Sequence, residues 1–257
     1  MPKSRKSLLQ WASDRLAVRR WKRTAQSVHA MRISQLRSER ARARKLRYWL
    51  NEFIPVADSR LALPMIGSNS FSKPHGTDWA WRPELWREPL AVPGMSSVQS
   101  KSTLGQEVTL FHDCQHSELT LRQLRNQREA DLAPFGLRMD VFSFDGSFLS
   151  LVLNLPPGAV QGLTRRHLLR MNTIMEMEKP LELFARLNIK HGPNTEQIVR
   201  ELPLHSDEIM VEFDLAYSNI NEKRIERAWI DLIFENPQMS QTVLRDLTFS
   251  RRPRAEF

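Results

Sequence analysis

Apolar and polar residues alternate along most of the second half of the chain. From Glu107 onward, apolar residues recur at nearly every second position in seven runs, which is the period of a β-strand with one buried face. The runs span residues 137–141, 149–155, 169–177, 181–189, 209–217, 228–234 and 243–249. Turn-forming residues separate most of them. We therefore predict an all-β antiparallel sandwich, jelly-roll-like, over residues 107–257.

The turn between the first two runs has a specific signal. Asp145-Gly146 lies between them, and an Asp-Gly pair is typical of two-residue hairpins because their turns need positive φ. This predicts that the two flanking strands pair directly with each other.

The first 54 residues have a helical pattern. Between Lys3 and Ile54 there is no Pro and no Gly, and Arg, Lys, Ala, Leu and Gln favour helix. Apolar residues recur within one quarter of the helical wheel, namely at Val18, Trp21, Ala25, Val28, Leu36, Ala43, Leu46 and Leu50. Arg32 interrupts this apolar stripe. We therefore predict a basic helical arm over residues 1–54, made of two helices joined near Ser34.

Residues 55–106 have a different composition from both neighbours. They contain six Pro, four Gly and eight Ser, which predicts an irregular linker or a long irregular segment that wraps around the domain. Three of the seven tryptophans lie within eight residues of this segment, at Trp79, Trp81 and Trp86.

Charge distinguishes the arm from the rest of the chain. The whole protein carries +9, but residues 3–47 alone hold fifteen Lys and Arg against two acids, and the remainder is mildly acidic. No apolar run is long enough for a cleavable signal or a membrane-spanning helix. The single cysteine, Cys114, fits a reducing compartment. We expect a cytoplasmic protein that the arm can bring to the inner membrane.

The arm combines basic and apolar residues on different faces, which suits an anionic membrane surface. The candidate contact residues are Arg15, Arg19, Arg20, Trp21, Lys22, Arg23, Arg40, Arg44 and Arg47. Two other partners fit the same pattern. The basic face suits nucleic-acid phosphates, and the apolar stripe suits a protein partner.

The tryptophan segment is a candidate ligand site. Flat aromatic faces stack on sugar rings, so Trp79, Trp81, Arg82 and Trp86 are candidates for binding a glycan. The alternative, which we favour, is that these aromatic side chains cover an end of the sandwich as part of its core.

Signals for catalysis or metal binding are weak. Four potential metal ligands lie within residues 112–116, but no second cluster complements them, so a polar loop is the favoured interpretation. Carboxylates such as Glu182, Glu212, Asp214 and Asp231 alternate on outer faces, although a glycosidase needs two across a cleft. We expect no metal, no cofactor and no catalytic residues.

Two resemblances follow from particular blocks. Residues 181–189, 211–215, 228–237 and 244–253 resemble an uncharacterised family of alphaproteobacterial proteins, which implies no activity. The late strand at residues 244–249 is similar to the last strand of galactose-binding-like jelly rolls, which are common in carbohydrate-binding modules. This second resemblance concerns fold alone.

The sequence therefore favours a non-catalytic binding or scaffold protein. Its sandwich would recognise a glycan or a protein surface, and its arm would recruit it to an anionic membrane. The alternatives are a sandwich-fold glycosidase or lyase and a protein that binds nucleic acid through the arm.

Overall fold

The structure is a computed structural model that describes residues 8–65, 71–128, 131–179, 181–204, 206 and 208–254. The chain divides into two compact units, Met1–Ile54 and Pro55–Phe257. Among the described residues, those of the first unit are mainly helical, and every strand lies in the second unit.

Two helices dominate the N-terminal part. They are α1, Leu8–Gln26, and α2, Ile33–Met65, with a 3-10 turn at Val28–Ala30 between them. Helix α1 ends where the Ser27 hydroxyl and backbone N–H both donate to the carbonyl of Arg23, at 3.1 and 3.0 Å, which satisfies a terminal acceptor. The predicted break into two helices is confirmed.

Helix α2 is longer than the sequence predicted. It passes through Pro55 and ends at Met65, so the predicted helix end at Ile54 was wrong. Proline removes one backbone N–H donor and disfavours a helix interior. The following residues 56–63 contain alanine, leucine and arginine, which are good helix formers.

Besides the end of α2 and two 3-10 turns, at Pro157–Ala159 and Glu222–Arg224, the described residues of the second unit form thirteen strands and one short α-helix. They are β1 Trp79–Trp81, α3 Glu84–Arg87, β2 Gly94–Ser96, β3 Ser102–Leu104, β4 Val108–His112, β5 Ser117–Arg125, β6 Phe135–Phe144, β7 Leu149–Asn154, β8 His167–Met177, β9 Leu183–His191, β10 Asn194–Glu201, β11 Glu208–Asp214, β12 Ile225–Phe234 and β13 Ser240–Pro253.

The strands make two antiparallel sheets. The seven-stranded sheet has the order β11-β8-β13-β6-β5-β2, with β1 paired to β13, and the six-stranded sheet has the order β10-β9-β12-β7-β4-β3. The predicted jelly-roll-like sandwich is confirmed. Apolar side chains at the predicted alternate positions fill the space between the sheets, for example Leu137, Met139 and Val141 from β6 and Leu149, Leu151 and Leu153 from β7.

Residues 71–106 belong to the sandwich and are not a linker. Strand β1 pairs with β13, β2 with β5 and β3 with β4. Leu85, Trp86, Val98 and Leu104 are buried in the core. The three strands have three residues each, which is too short to display an alternating pattern.

The Asp145-Gly146 turn does not close a hairpin. Strands β6 and β7 lie in different sheets, so the predicted pairing was wrong. Asp145 accepts a hydrogen bond from the backbone N–H of Gln115, and Asp113 accepts one from that of Ser147, at 3.1 and 2.8 Å. These reciprocal bonds tie together the two loops that cross between the sheets.

A β-bulge changes the alternation within β13. The register against β8 shifts between Leu244 and Asp246, so the inward positions are even-numbered before the shift and odd-numbered after it. Leu244 and Leu247 therefore both face the core. The predicted single face through Val243, Arg245 and Leu247 was wrong: Val243 is buried, but Leu244 takes the inward position before the shift.

Candidate functional site

The tryptophans predicted as a ligand site differ in how deeply they are buried. Trp79 and Trp81 stand opposite Arg251 and Phe249 of β13. The Trp81 ring stacks on that of Phe249, with a centroid distance of 5.7 Å. Trp86 has no exposed surface, and its indole N–H donates to the Leu244 carbonyl at 3.0 Å. Trp79 and Trp81 are half-buried against the core.

Arg82 is also buried, with 2% of its surface exposed. Its guanidinium makes two hydrogen bonds to the Asp246 carboxylate, at 2.9 and 2.7 Å. Together these contacts tie the segment after β1 to β13. The burial of Trp86 and Arg82 contradicts the ligand-binding role predicted for these two residues, since neither presents a surface on which a sugar could bind.

A second ion pair fixes the start of the same segment. The Arg251 guanidinium makes two hydrogen bonds of 3.0 Å to Asp78, and the ring of His167 lies 3.3 Å from the same carboxylate. Partial burial acts to raise the pKa of Asp78, but the hydrogen bonds and charge of Arg251 outweigh it and hold the pKa below its ordinary value.

The cluster at residues 112–116 comprises the last residue of β4, His112, and the loop between β4 and β5. His112 is buried and contacts the Val98 carbonyl at 3.0 Å, and burial raises the pKa of the Cys114 thiol. The Asp113 carboxylate accepts a hydrogen bond from the backbone N–H of Ser147 in the β6–β7 loop. Within the described ranges, no group of three or more His, Cys, Asp or Glu is arranged to hold a metal ion.

A groove of about 630 Å³ lies on the outer face of the six-stranded sheet. It crosses four neighbouring strands, β4, β7, β12 and β9. Its eleven lining residues include the outward-facing positions of each strand: Thr109, Phe111, Phe148, Ser150, Val152, Asn154, Arg186, Arg227, Trp229, Asp231 and Ile233. The alternation that buries Ile230 and Leu232 in the core places Trp229 and Asp231 on this outer face.

Trp229 lies at the middle of the sheet. Its direct cross-strand neighbours are Asn154 on β7 and Asn188 on β9, so the indole is flanked by amide groups. The guanidinium of Arg227 lies over the indole, 5.0 Å from the ring centroid. Phe111 lines the groove farther along and is directly opposite Ser150. The groove therefore has aromatic surface beside hydrogen-bonding groups.

A buried polar network lies next to Trp229. Asp231 is only 3% exposed, and its Oδ2 accepts hydrogen bonds from Arg186 at 2.8 Å and from Asn188 at 3.0 Å. Gln197 in turn donates to Asn188 at 3.0 Å. These bonds hold the Arg186 and Asn188 side chains in fixed orientations.

Two acceptor atoms of the groove have no hydrogen-bond partner within the described part of the chain. They are Oδ1 of Asp231 and the hydroxyl of Ser150. A buried polar atom is costly without a partner. Both residues line the groove.

The carboxylates named from the sequence are divided between the two sheets. Glu212 and Asp214 lie on β11 in the seven-stranded sheet, whereas Asp231 lies on β12 in the other sheet. Among the eleven described lining residues, Asp231 is the one carboxylate, while glycoside hydrolysis by acid and base needs two across the scissile bond.

Sequence reasoning placed Asp231 on an outer face but did not single out Trp229. One signal was available. Trp229 occupies an outward position in the alternating run 228–234, where a large aromatic residue has no core to fill. The other groove residues come from separate strands, and sequence spacing does not bring them together.

The basic residues named for the arm all lie on helices α1 and α2. Arg15, Arg19, Arg20, Lys22, Arg23, Arg40, Arg44 and Arg47 are exposed, and Trp21 is half-buried. Arg20 and Arg42 approach Glu39, at 3.6 and 3.0 Å. Large apolar side chains of the same helices are exposed as well: Leu16, Val18, Val28, Ile33, Leu36, Leu46, Tyr48, Trp49, Leu50, Phe53 and Ile54. No helix among the described residues is long and apolar enough to cross a membrane.

A family model described as a family of unknown function (DUF6478) matches residues 1–257. No curated protein matches the sequence.

Several solved structures are similar at low identity. A family 11 carbohydrate-binding module from Clostridium thermocellum, in complex with a β-1,3-1,4-mixed-linked tetrasaccharide, is 12% identical over 65% of this chain and 99% of the module, with a TM-score of 0.40. The module TmCBM61, in complex with β-1,4-galactotriose, is 13% identical over 57% of this chain and 88% of the module, with a TM-score of 0.34.

The enzymatically active domain of bacteriophage CBA120 tailspike protein 4 is 7% identical over 55% of this chain, with a TM-score of 0.39. The match spans only 19% of that tailspike chain. Nothing about a ligand or an activity of the present protein follows from these similarities.

Proposed function

This chain belongs to the DUF6478 family of unknown function over its whole length, and we propose that its sandwich is a non-catalytic module that binds a glycan chain. The observation that carries the proposal is the groove on the six-stranded sheet. There Trp229 lies beside a rigid polar network that leaves an acceptor of Asp231 without a partner.

The chemistry of the groove suits a sugar. A sugar ring has an apolar face of C–H groups that packs on an aromatic ring, and a rim of hydroxyls that donate and accept hydrogen bonds. Trp229 and Phe111 supply the aromatic surface, while Asn154, Ser150 and Asp231 supply the polar groups. Apolar walls with a few fixed polar groups are the usual composition of a small-molecule site.

The size of the groove supports an oligosaccharide. Four neighbouring strands span about 14 Å from the first to the last at the usual strand spacing, which is longer than one sugar ring. The volume of about 630 Å³ lies within the range of ligand pockets. Asp231 is held by Arg186 and Asn188, and this arrangement supports recognition of hydroxyl groups.

A glycan array probed with the full-length protein tests the proposal. We expect binding to a subset of glycans, and we expect Trp229→Ala to weaken it about tenfold or more, because a buried aromatic stack contributes on the order of 1.5 kcal/mol or more. Tyr217→Ala is the matched control, since Tyr217 is 84% exposed and does not line the groove.

Two results would overturn the proposal. One is that no glycan binds. The other is that a glycan binds equally well to the wild type and to the Trp229→Ala protein, while thermal melts show that both are folded.

For the arm, we propose recruitment to an anionic membrane surface. Exposed basic side chains supply attraction to negative headgroups, and exposed apolar side chains such as Val18, Leu46 and Trp49 can enter the interface. Nucleic acid and a protein partner are the competing partners. The apolar stripe favours the membrane over nucleic acid, because phosphate contacts need only the basic face.

A further inference from the structure

The charged residues that line the groove do not cancel, because two are arginines and one is an aspartate. Arg186 and Asp231 neutralise each other through hydrogen bonds of 2.8 and 2.7 Å. Arg227 is the remaining charged residue of the lining. Across the described residues it makes a contact with the Trp229 ring but no ion pair, so its positive charge is not compensated within the groove.

A second cation lies next to Arg227. Lys190 on β9 stands directly opposite Arg227 on β12. Like charges at directly opposed positions destabilise an antiparallel pair. Glu226 is the residue at the register shift and pairs with Lys190 at 3.6 Å, so the charge of Lys190 is compensated while that of Arg227 is not.

The position of Arg227 relative to Trp229 links this charge to the ligand. Its guanidinium lies 5.0 Å from the centroid of the indole, a distance at which a cation is attracted to the ring. A sugar that packs against Trp229 therefore lies within reach of Arg227. The planar guanidinium binds a carboxylate through two parallel hydrogen bonds.

We infer that the groove selects an acidic glycan, and that Arg227 binds the carboxylate of a uronic-acid residue packed against Trp229. This inference rests on the proposed glycan-binding function and specifies its ligand class. Arg186 and Asp231 bind hydroxyl groups of the same chain, and Lys190 beside Arg227 is already paired with Glu226.

The test compares an oligogalacturonate with its methyl ester, which has the same shape without the charge. The protein is the full-length chain, measured by calorimetry. Because the basic arm also attracts acidic ligands, any binding that survives in Trp229→Ala is assigned to the arm and subtracted. We expect Arg227→Gln to weaken groove binding of the acid about tenfold and to leave binding of the ester within about twofold.

Arg122→Gln is the matched control. Arg122 is an exposed arginine on β5 of the other sheet, so its replacement should change neither affinity. If Arg227→Gln weakens the acid and the ester equally, or if the wild-type groove binds the ester as tightly as the acid, the inference is wrong and the glycan-binding function stands. A sulfated or phosphorylated oligosaccharide that binds where the uronate does not would also overturn the carboxylate assignment. If neither probe binds and the glycan array is blank, the proposed function is wrong as well.

Discussion

At the scale of single residues, the buried ion pair between Arg82 and Asp246 leads to a prediction about the free energy of unfolding. Replacing Arg82 by Met leaves a buried carboxylate without its partner, which costs about 3–5 kcal/mol of unfolding free energy. Urea denaturation measures this loss. Adding Asp246→Asn should recover part of it, because the neutral amide needs no counter-charge. A loss below about 1 kcal/mol in the single variant would show that the pair contributes little.

The ionisation of Asp78 leads to a prediction of how the stability of the sandwich changes in acid. The folded-state pKa of Asp78 lies below its ordinary value of 3.8, so its ion pair with Arg251 stabilises the protein fully at pH values above the ordinary pKa. This contribution is lost as the pH falls through the lowered pKa of the folded state. We expect Asp78→Asn to lower stability at neutral pH and to flatten the decline below about pH 4. Urea midpoints measured along a pH series check this. Parallel curves for the two proteins would contradict it.

At the scale of elements, the short strands before β4 are integral to the sandwich. A fragment of residues 71–257 keeps β1–β3 and α3, and we expect it to melt cooperatively. A fragment of residues 105–257 lacks Leu85, Trp86, Val98 and Leu104 of the core, and burial of each such side chain contributes about 1.5–3 kcal/mol. We expect it not to fold. Equal melting temperatures for the two fragments in calorimetry would show that the first three strands are dispensable.

The longer strands could be predicted from the sequence, because each has one buried face and therefore an apolar period of two. Strands β7 and β9, and β12 from Ala228 onward, follow that pattern at every core position. Two features could not be predicted from this apolar period. Asp145-Gly146 connects different sheets, and strands of both sheets alternate in the same way, so the pattern does not show which strands pair. The bulge near Arg245 shifts the phase within one strand, and only the pairing with β8 reveals it.

At the scale of the whole molecule, the candidate site depends on side chains that are distant in sequence. The groove joins Phe111, Ser150, Arg186 and Trp229, which stand on four strands. The sequence pointed instead to Trp79, Trp81 and Trp86 as the candidate site, because these three tryptophans lie close together in one short segment. That segment packs against β13 and the core, which a sequence alone does not distinguish from an exposed aromatic surface.

The arm makes its own prediction for the whole protein. We expect the full-length chain to bind anionic vesicles and to bind neutral ones poorly. Replacing Trp21 and Leu46 by Ser should weaken vesicle binding about tenfold, because less apolar surface enters the interface. Binding to duplex DNA should change less than about twofold, since it depends on the basic face. Phe142→Ser is the control, as Phe142 is exposed on β6 of the sandwich.

If the double variant weakens vesicle and DNA binding equally, the apolar stripe has no specific part in membrane binding. If the wild-type chain binds DNA but not anionic vesicles, nucleic acid is the partner of the arm. Absence of both interactions would indicate a protein partner.

The most direct test of glycan binding by the groove is a spectrum that resolves the indole N–H groups of the seven tryptophans. The full-length protein is titrated with the oligosaccharide that binds tightest on the array, and each resonance is assigned by replacing one Trp by Phe. We predict a progressive shift of the Trp229 resonance and little change for Trp86, which is buried and bonded to Leu244. A shift of the Trp79 and Trp81 resonances with an unchanged Trp229 would contradict the account and place the glycan at β1.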